Sequence, residues 1–324
     1  MPPRPPRPAA LVALLCGLLL AAGCGGGAGG RSGPHTVGLA LDFVPNAAHA
    51  PIYAAVRRGY DRANGIRLRI RPPGPGPDSL KLVLSGRVAV GVLDIHDLAI
   101  ASARGLPVVG IGALVQSPLG ALLAQPEIRR PRDLAGHLVG VSGLPSDPAF
   151  IRAIVTHDGG DYARVKQVTI GFKAVSALLT RHVAAVPAFW NAEGVALAHR
   201  GKRIRQFRVE DYGAPRYPEV VLITSRATLR LHRADVVATL RAIAAGVRDV
   251  VVHPVPAVRQ MVAVAQAADP GLMRAQLDAV KPLFEPPIRL DREVLERWAD
   301  FDVRVGLVPR RPDIGRAFDF SVFR

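Results

Sequence analysis

From residue 34 onward the chain alternates short β-branched runs with helical stretches, a pattern that restricts it to layered α/β architectures in which helices cover the faces of a sheet. The spacing predicts strands over 36–41, 67–71, 88–93 and 108–115, with helices over 48–64, 79–84 and 98–104 between them. Past Pro118 and the apolar stretch 119–123, a second and similar series follows, with strands over 138–141, 167–170 and 184–189 and helices over 148–157 and 174–181. The chain then returns through 212–218 to a strand over 219–224, and the remainder reads as helix. Two βα series joined by two crossings, near 116–119 and 213–222, imply a two-lobed body. The first lobe is discontinuous, 36–117 with 222–324, and the second is 118–221. Ligands of parallel sheets sit off the carboxyl ends of the strands, so the cleft between the lobes is the expected binding site and the crossings its hinge.

The segment ahead of this body sets an expected location. Arg4 and Arg7 supply a positive start, residues 9–20 an apolar run, and Ala22-Gly23 the small residues that precede Cys24. The stretch Leu20-Ala21-Ala22-Gly23-Cys24 resembles a bacterial lipobox, which implies that residues 1–23 are a signal peptide and that Cys24 becomes a lipidated N-terminus. Residues 24–35, nearly all glycine at first, then form a flexible tether. After Cys24 no apolar run reaches the roughly 18–20 residues that span a bilayer, the stretch 236–252 being cut by Arg241, Arg248 and Asp249. The expectation is a body on the extracytoplasmic face of the cell membrane, held there by lipid after export.

Charge and cysteine content narrow the function classes. The net charge of +16 arises from basic residues scattered as singles and pairs, with no basic run interleaved with aromatics, so nucleic acid is not an expected partner. Anionic lipid headgroups are the expected counterpart, an anionic ligand the weaker alternative. The two cysteines are Cys16 and Cys24, so the mature body has no disulfide, thiolate metal site or cysteine nucleophile. No G-x-S-x-G, H-E-x-x-H, Walker loop or G-x-G-x-x-G following a strand occurs, and no catalytic residue, cofactor or metal is expected.

The motif Leu41-Asp42-Phe43-Val44-Pro45-Asn46-Ala47-Ala48-His49-Ala50-Pro51-Ile52-Tyr53, with Arg58-Gly59-Tyr60 and Asn64-Gly65-Ile66 behind it, resembles the opening of the NMT1/THI5-like family of solute-binding proteins. Gly86-Arg87-Val88-Ala89-Val90-Gly91, Gln116-Ser117-Pro118-Leu119, Asp133-Leu134-Ala135-Gly136 and Ala188-Phe189-Trp190-Asn191-Ala192-Glu193-Gly194 extend the resemblance in order. It implies the type II periplasmic-binding-protein fold, an ABC permease and ATPase as partners, and a small heteroaromatic ligand. Within the family the segment looks most like receptors for pyrimidine precursors of thiamine, and less like those for alkanesulfonates or nitrate. The related pyrimidine synthases consume the histidine of this motif and hold iron near a cysteine-rich cluster, which this chain has no cysteines to build.

The candidate ligand residues fall at strand ends. Asp42, Phe43 and Asn46 bring a carboxylate, a ring and an amide together in the first lobe; Phe189, Trp190, Asn191 and Glu193 do so in the second. A flat aminopyrimidine wants rings on its faces and an acceptor for its exocyclic amine. Phe43 and Phe189 serve equally well as strand-end core residues, and Glu193 as a first-turn acid favoured by the helix dipole. His49, one helical turn before Tyr53, either lines the cleft or packs in the core. Asp94, with His96 and Asp97 nearby, offers a polar contact or a helix N-cap. Asp147 before Pro148 reads as an N-cap that would repel a second anion, while Ser146 and the Gly143 loop remain candidate contacts. Tyr217 lies on the return crossing, where hinge and ligand contacts coincide.

Overall fold

The computed structural model describes residues 34–74, 76–265 and 269–322. Cys24, the expected signal peptide and nearly all of the expected tether lie outside the described residues. Ten strands form among these: β1 (His35–Ala40), β2 (Ile66–Arg71), β3 (Val90–Asp94), β4 (Val108–Val115), β5 (Gly120–Ala124), β6 (Leu138–Val141), β7 (Lys166–Thr169), β8 (Ala185–Phe189), β9 (Arg205–Arg208) and β10 (Val220–Ser225). They make two five-stranded sheets, ordered β2-β1-β3-β10-β4 and β7-β6-β8-β5-β9.

Both sheets follow one plan. In the first, β1 runs parallel to β2 and β3, and β10 runs antiparallel to β3 and β4. In the second, β6 runs parallel to β7 and β8, and β5 runs antiparallel to β8 and β9. The antiparallel strand is in each case the one on which the chain arrives from the other sheet, β5 after 116–119 and β10 after 209–219. The expected α/β class and the two crossings are found, but the sheets are mixed. Each of these strands is entered from the other sheet, with no helix of its own sheet before it to make a parallel crossover, and it lies antiparallel to its neighbours.

Three further differences have local causes. The expected helix over 48–64 is a single turn Ala47–His49, a helix Ala50–Arg57 and a short helix Tyr60–Ala63, interrupted where Gly59 takes a left-handed φ of 73°. Strand β5, Gly-Ala-Leu-Leu-Ala, has no β-branched residue, and its wholly buried environment makes it a strand. Strand β9, Arg-Gln-Phe-Arg, buries only Phe207; its arginines guard a sheet edge and hide the strand from a hydrophobicity reading.

The first sheet's outer layer depends on close helix contact. The helix Arg233–Val252 buries Val236, Leu240, Ile243, Val247 and Val250, one stripe at helical spacing. Its Gly246 meets the helix Ala50–Arg57 so closely that an added Cβ would stand 2.1 Å from the Pro51 carbonyl oxygen. The buried Asp249 pins the same pair, at 3.0 Å from Arg57 Nη2 and 3.1 Å from Arg58 Nε. At the other end of the chain, the helix Arg292–Arg304 buries Trp298 and Phe301, and Phe301 stacks on Tyr217 of the return crossing at 6.3 Å. This carries Asp302 beneath the crossing.

Gly246→Ala tests the helix contact. Helix propensity favours alanine by ~1 kcal/mol, but a clash with backbone cannot be relieved by a rotamer, so a net loss of ~1–3 kcal/mol is expected in urea melts. An unchanged or raised midpoint would contradict the observed approach.

Candidate functional site

A cavity of ≈ 360 Å³ is lined by residues at the carboxyl ends of β1 and β3 in the first sheet and of β6, β7 and β8 in the second. That volume suits a small ligand. Parallel strands direct their following loops to the same side, so the loop after each of these strands delivers a polar or aromatic side chain to one space.

One part of the wall is aromatic. Phe43, just past β1, meets Phe172, past β7, edge to face with centroids 4.4 Å apart, and this contact joins the two sheets' loops. Phe189 at the end of β8 adds a third ring. Beside it Glu193, in the π-helical turn Trp190–Gly194, accepts the Phe189 N–H at 3.2 Å. Burial pushes this carboxyl up to about 7, so near neutrality it is both donor and acceptor. Across the cavity Asp42 is oriented by His49. The Asn46 N–H reaches His49 Nδ1 at 3.2 Å, which fixes that nitrogen as acceptor and leaves Nε2 to donate to Asp42 Oδ1 at 2.8 Å.

A second part is acidic. Asp94 caps the helix Ile95–Ala103 through the His96 N–H at 2.7 Å. Asp97, in that helix's first turn, accepts the Ser146 N–H of the other sheet's loop at 3.1 Å, and its Oδ2 has no partner among the described residues. Asp147 does not cap its own helix Asp147–His157 as expected from Asp-Pro. Its Oδ2 turns back to accept Ser142 Oγ at 2.9 Å, the Gly143 N–H at 2.9 Å and the Leu144 N–H at 3.0 Å. Burial, then the charges of Asp94 and Asp147, hold the Asp97 carboxyl well above its ordinary range, and burial pushes Asp147 up to about 6.

Part of the lining belongs to a buried polar knot. Glu219 Oε2 accepts the N–H groups of Leu119 at 2.6 Å and Gly120 at 3.0 Å, tying one crossing to the other. His96 Nε2 lies 3.0 Å from the Tyr217 hydroxyl and its Nδ1 2.8 Å from Asp302. Burial opposes charge on this ring, but Asp302, Asp94 and Glu219 outweigh it and push His96 up to about 10. Asp94, His96 and Glu219 approach within 4.8 Å of one another, as metal ligands do, yet their atoms are already bonded to Tyr217, Asp302 and backbone N–H groups.

Of the residues singled out in sequence, Asp42, Phe43, Asp94, Phe189 and Glu193 line the cavity, as do His96, Asp97, Ser146, Asp147 and the Gly143 loop. Asn46 and His49 stand behind Asp42: Asn46 Oδ1 accepts the Ala48 N–H at 2.9 Å and closes the turn. Trp190 is placed otherwise than expected. Its indole N–H donates to the Pro118 carbonyl at 3.3 Å and Arg208 covers its ring at 4.0 Å, so it packs on the first crossing, outside the lining. Asn191 is fully buried beside it, with neither amide atom partnered among the described residues. Tyr217 is fully buried on the return crossing against His96. Phe172 and Glu219 were not singled out. An aromatic following a strand, as in Gly171-Phe172, and an acid leading into the uncharged run 220–223 were the available signals.

The family model described as NMT1/THI5 like matches residues 46–257. A formylaminopyrimidine-binding protein of Halalkalibacterium halodurans is 33% identical over 221 residues, 67% of each chain. A 4-amino-5-hydroxymethyl-2-methylpyrimidine phosphate synthase of Legionella pneumophila is 30% identical over 165 residues, 50% of this chain and 52% of the synthase. The solved structure of the alkanesulfonate-binding protein SsuA from Xanthomonas axonopodis pv. citri bound to MOPS superposes with a TM-score of 0.71, at 15% identity, over 89% of this chain and 99% of that one. The fold is therefore the expected type II periplasmic-binding-protein fold.

The buried acids give the fold a pH dependence of definite sign. Glu193, raised from 4.5 to about 7, Asp147, from 3.8 to about 6, and His96, from 6.5 to about 10, all hold protons more tightly folded than unfolded, as does the raised Glu219. Stability is then lost as pH rises through these windows. The melting temperature should fall between pH 5 and pH 9 by on the order of 5–10 °C. A melting temperature that rises over this range, followed by circular dichroism, would refute the assignment.

Proposed function

The chain belongs to the NMT1/THI5-like family, and from that premise we propose that it is the extracytoplasmic receptor of an ABC importer, capturing a thiamine-precursor pyrimidine and handing it to a permease driven by an ATPase. The observation that carries this is Glu193, a buried carboxyl at about 7 beside Phe189, with Phe43 and Phe172 lining the same cavity. An aminopyrimidine presents a ring nitrogen beside an exocyclic amine, an acceptor next to a donor. A carboxyl that can hold or release its proton matches both, and the rings supply apolar faces.

In this reading the lobes 36–117 with 222–324 and 118–221 close on the ligand about the crossings. Binding energy shifts an open–closed equilibrium, and the permease reads the closed form. A sulfonate or nitrate ligand is disfavoured by the lining. The Ser142, Gly143 and Leu144 donors that would hold an oxyanion already hold the Asp147 carboxylate. Pyrimidine synthesis is disfavoured because the two cysteines, Cys16 and Cys24, precede the fold.

We also propose that Cys24 is lipidated after loss of residues 1–23, which would tether the body to the outer face of the membrane. Cys24→Ser should abolish metabolic lipid labelling and move the protein from the membrane to the soluble fraction. Membrane retention of the variant, with no lipid mass on the wild type, would reject the anchor.

For the ligand, calorimetric titration with 4-amino-5-hydroxymethyl-2-methylpyrimidine should show binding that Glu193→Gln weakens by roughly 1.5–3 kcal/mol, because the charge-assisted hydrogen bond of the ionised carboxyl is lost and the amide NH2 can face the ligand's own donor. An alkanesulfonate should give no heat with the wild type. Sulfonate binding that improves in Glu193→Gln, with no pyrimidine heat in either protein, would overturn the choice of ligand.

A further inference from the structure

The cavity opposes the sign of the chain around it. In a protein of net charge +16, its lining carries Asp42, Asp94, Asp97, Asp147, Glu193 and Glu219. Its basic residues, apart from His96, are Lys81 and Arg104, both exposed to solvent. Glu193 stands apart from the other acids electrically, since burial alone raises it. Asp94, Asp97 and Asp147 form a group: Asp94 and Asp147 raise Asp97, and Asp94 raises Asp147.

Helix-end chemistry does not account for that group. An acid at a helix N-terminus gains little, whereas a buried polar atom without a partner costs more than that gain, and more again when charged. Asp97 is 3% exposed, lines the cavity and leaves Oδ2 without a partner among the described residues. What offsets Asp97 and Asp147 is hydrogen bonding from Ser142, Gly143, Leu144 and Ser146. A carboxyl so placed keeps its proton while alone and becomes a carboxylate when a positively charged donor enters the cavity.

We infer that the ligand carries a protonated amine, which is received by the Asp94–Asp97–Asp147 group while its aminopyrimidine ring is held at Glu193 and the phenylalanines. This rests on the aminopyrimidine reading and adds to it a ligand class: cationic amines in preference to neutral alcohols or acylated amines at the ring's side arm. Asp97 is the specificity residue, because its unpartnered oxygen is the atom left for the ammonium group.

The test compares two pyrimidines that differ in one group, 4-amino-5-aminomethyl-2-methylpyrimidine and its 5-hydroxymethyl counterpart, by calorimetry on the full chain at pH 7. The aminomethyl compound should bind about tenfold or more tightly. Asp97→Asn keeps the acceptor for the Ser146 N–H but removes the charge, and should bring the ratio of the two dissociation constants close to one; Asp147→Asn should lower it as well. Equal or tighter binding of the hydroxymethyl compound by the wild type overturns this inference and leaves the aminopyrimidine reading standing. No heat from either compound overturns both. A preference for the amine that survives in both variants overturns the assignment to these aspartates.

Discussion

Glu219 accepts two backbone N–H groups from the first crossing while standing at the head of the strand that makes the second, and the two-sheet arrangement depends on this junction. Each sheet receives its antiparallel strand here, so the two crossings must lie side by side. Their N–H groups, turned away from any ladder, need an acceptor that is buried with them. A carboxyl meets that need; burial and Asp94 raise it to about 8, against the pull of His96 and the two N–H groups. His96, Tyr217 and Asp302 follow from it: His96 supplies the opposing charge, and Tyr217 and Asp302 take its two ring nitrogens. The helix Arg292–Arg304 that brings Asp302 is thereby joined to the junction by chemistry as well as by the packing of Trp298 and Phe301.

The basic exterior and the acidic cavity act on different partners. Scattered arginines set the long-range field outside the protein, and screening limits it to about a Debye length. Inside, low polarity makes each carboxyl count for more, and the sign of the lining decides which small molecules are tolerated. Reading ligand preference from total charge would have pointed toward anions, and the lining points the other way.

Strand and helix periodicity made the α/β class, the two series and both crossings legible, because burial imposes a period on the sequence. Strand β9 escaped because an edge strand presents arginine to solvent and buries only Phe207. Among site residues, those at the ends of parallel strands were legible by position: Asp42 and Phe43 after β1, Phe189 at the end of β8. Trp190 was misplaced because neighbours in sequence at a strand-to-helix turn point in different directions. Glu193 reaches the cavity and Trp190 reaches Pro118. Phe172 was missed because its significance is a contact with Phe43, which no local pattern encodes.

The chain has two tryptophans, and both sit at the joint between the sheets. Trp190 lies on the first crossing, its indole N–H on the Pro118 carbonyl and the Arg208 cation over its ring. Trp298 lies in the buried group beneath the second, its N–H 3.3 Å from His96 Nδ1. Indole emission is sensitive to nearby charge and to hydrogen bonding, so the tryptophan fluorescence of the protein originates where the two crossings meet. The molecule therefore carries its own optical gauge of the joint, with one indole on the first crossing and one beneath the second.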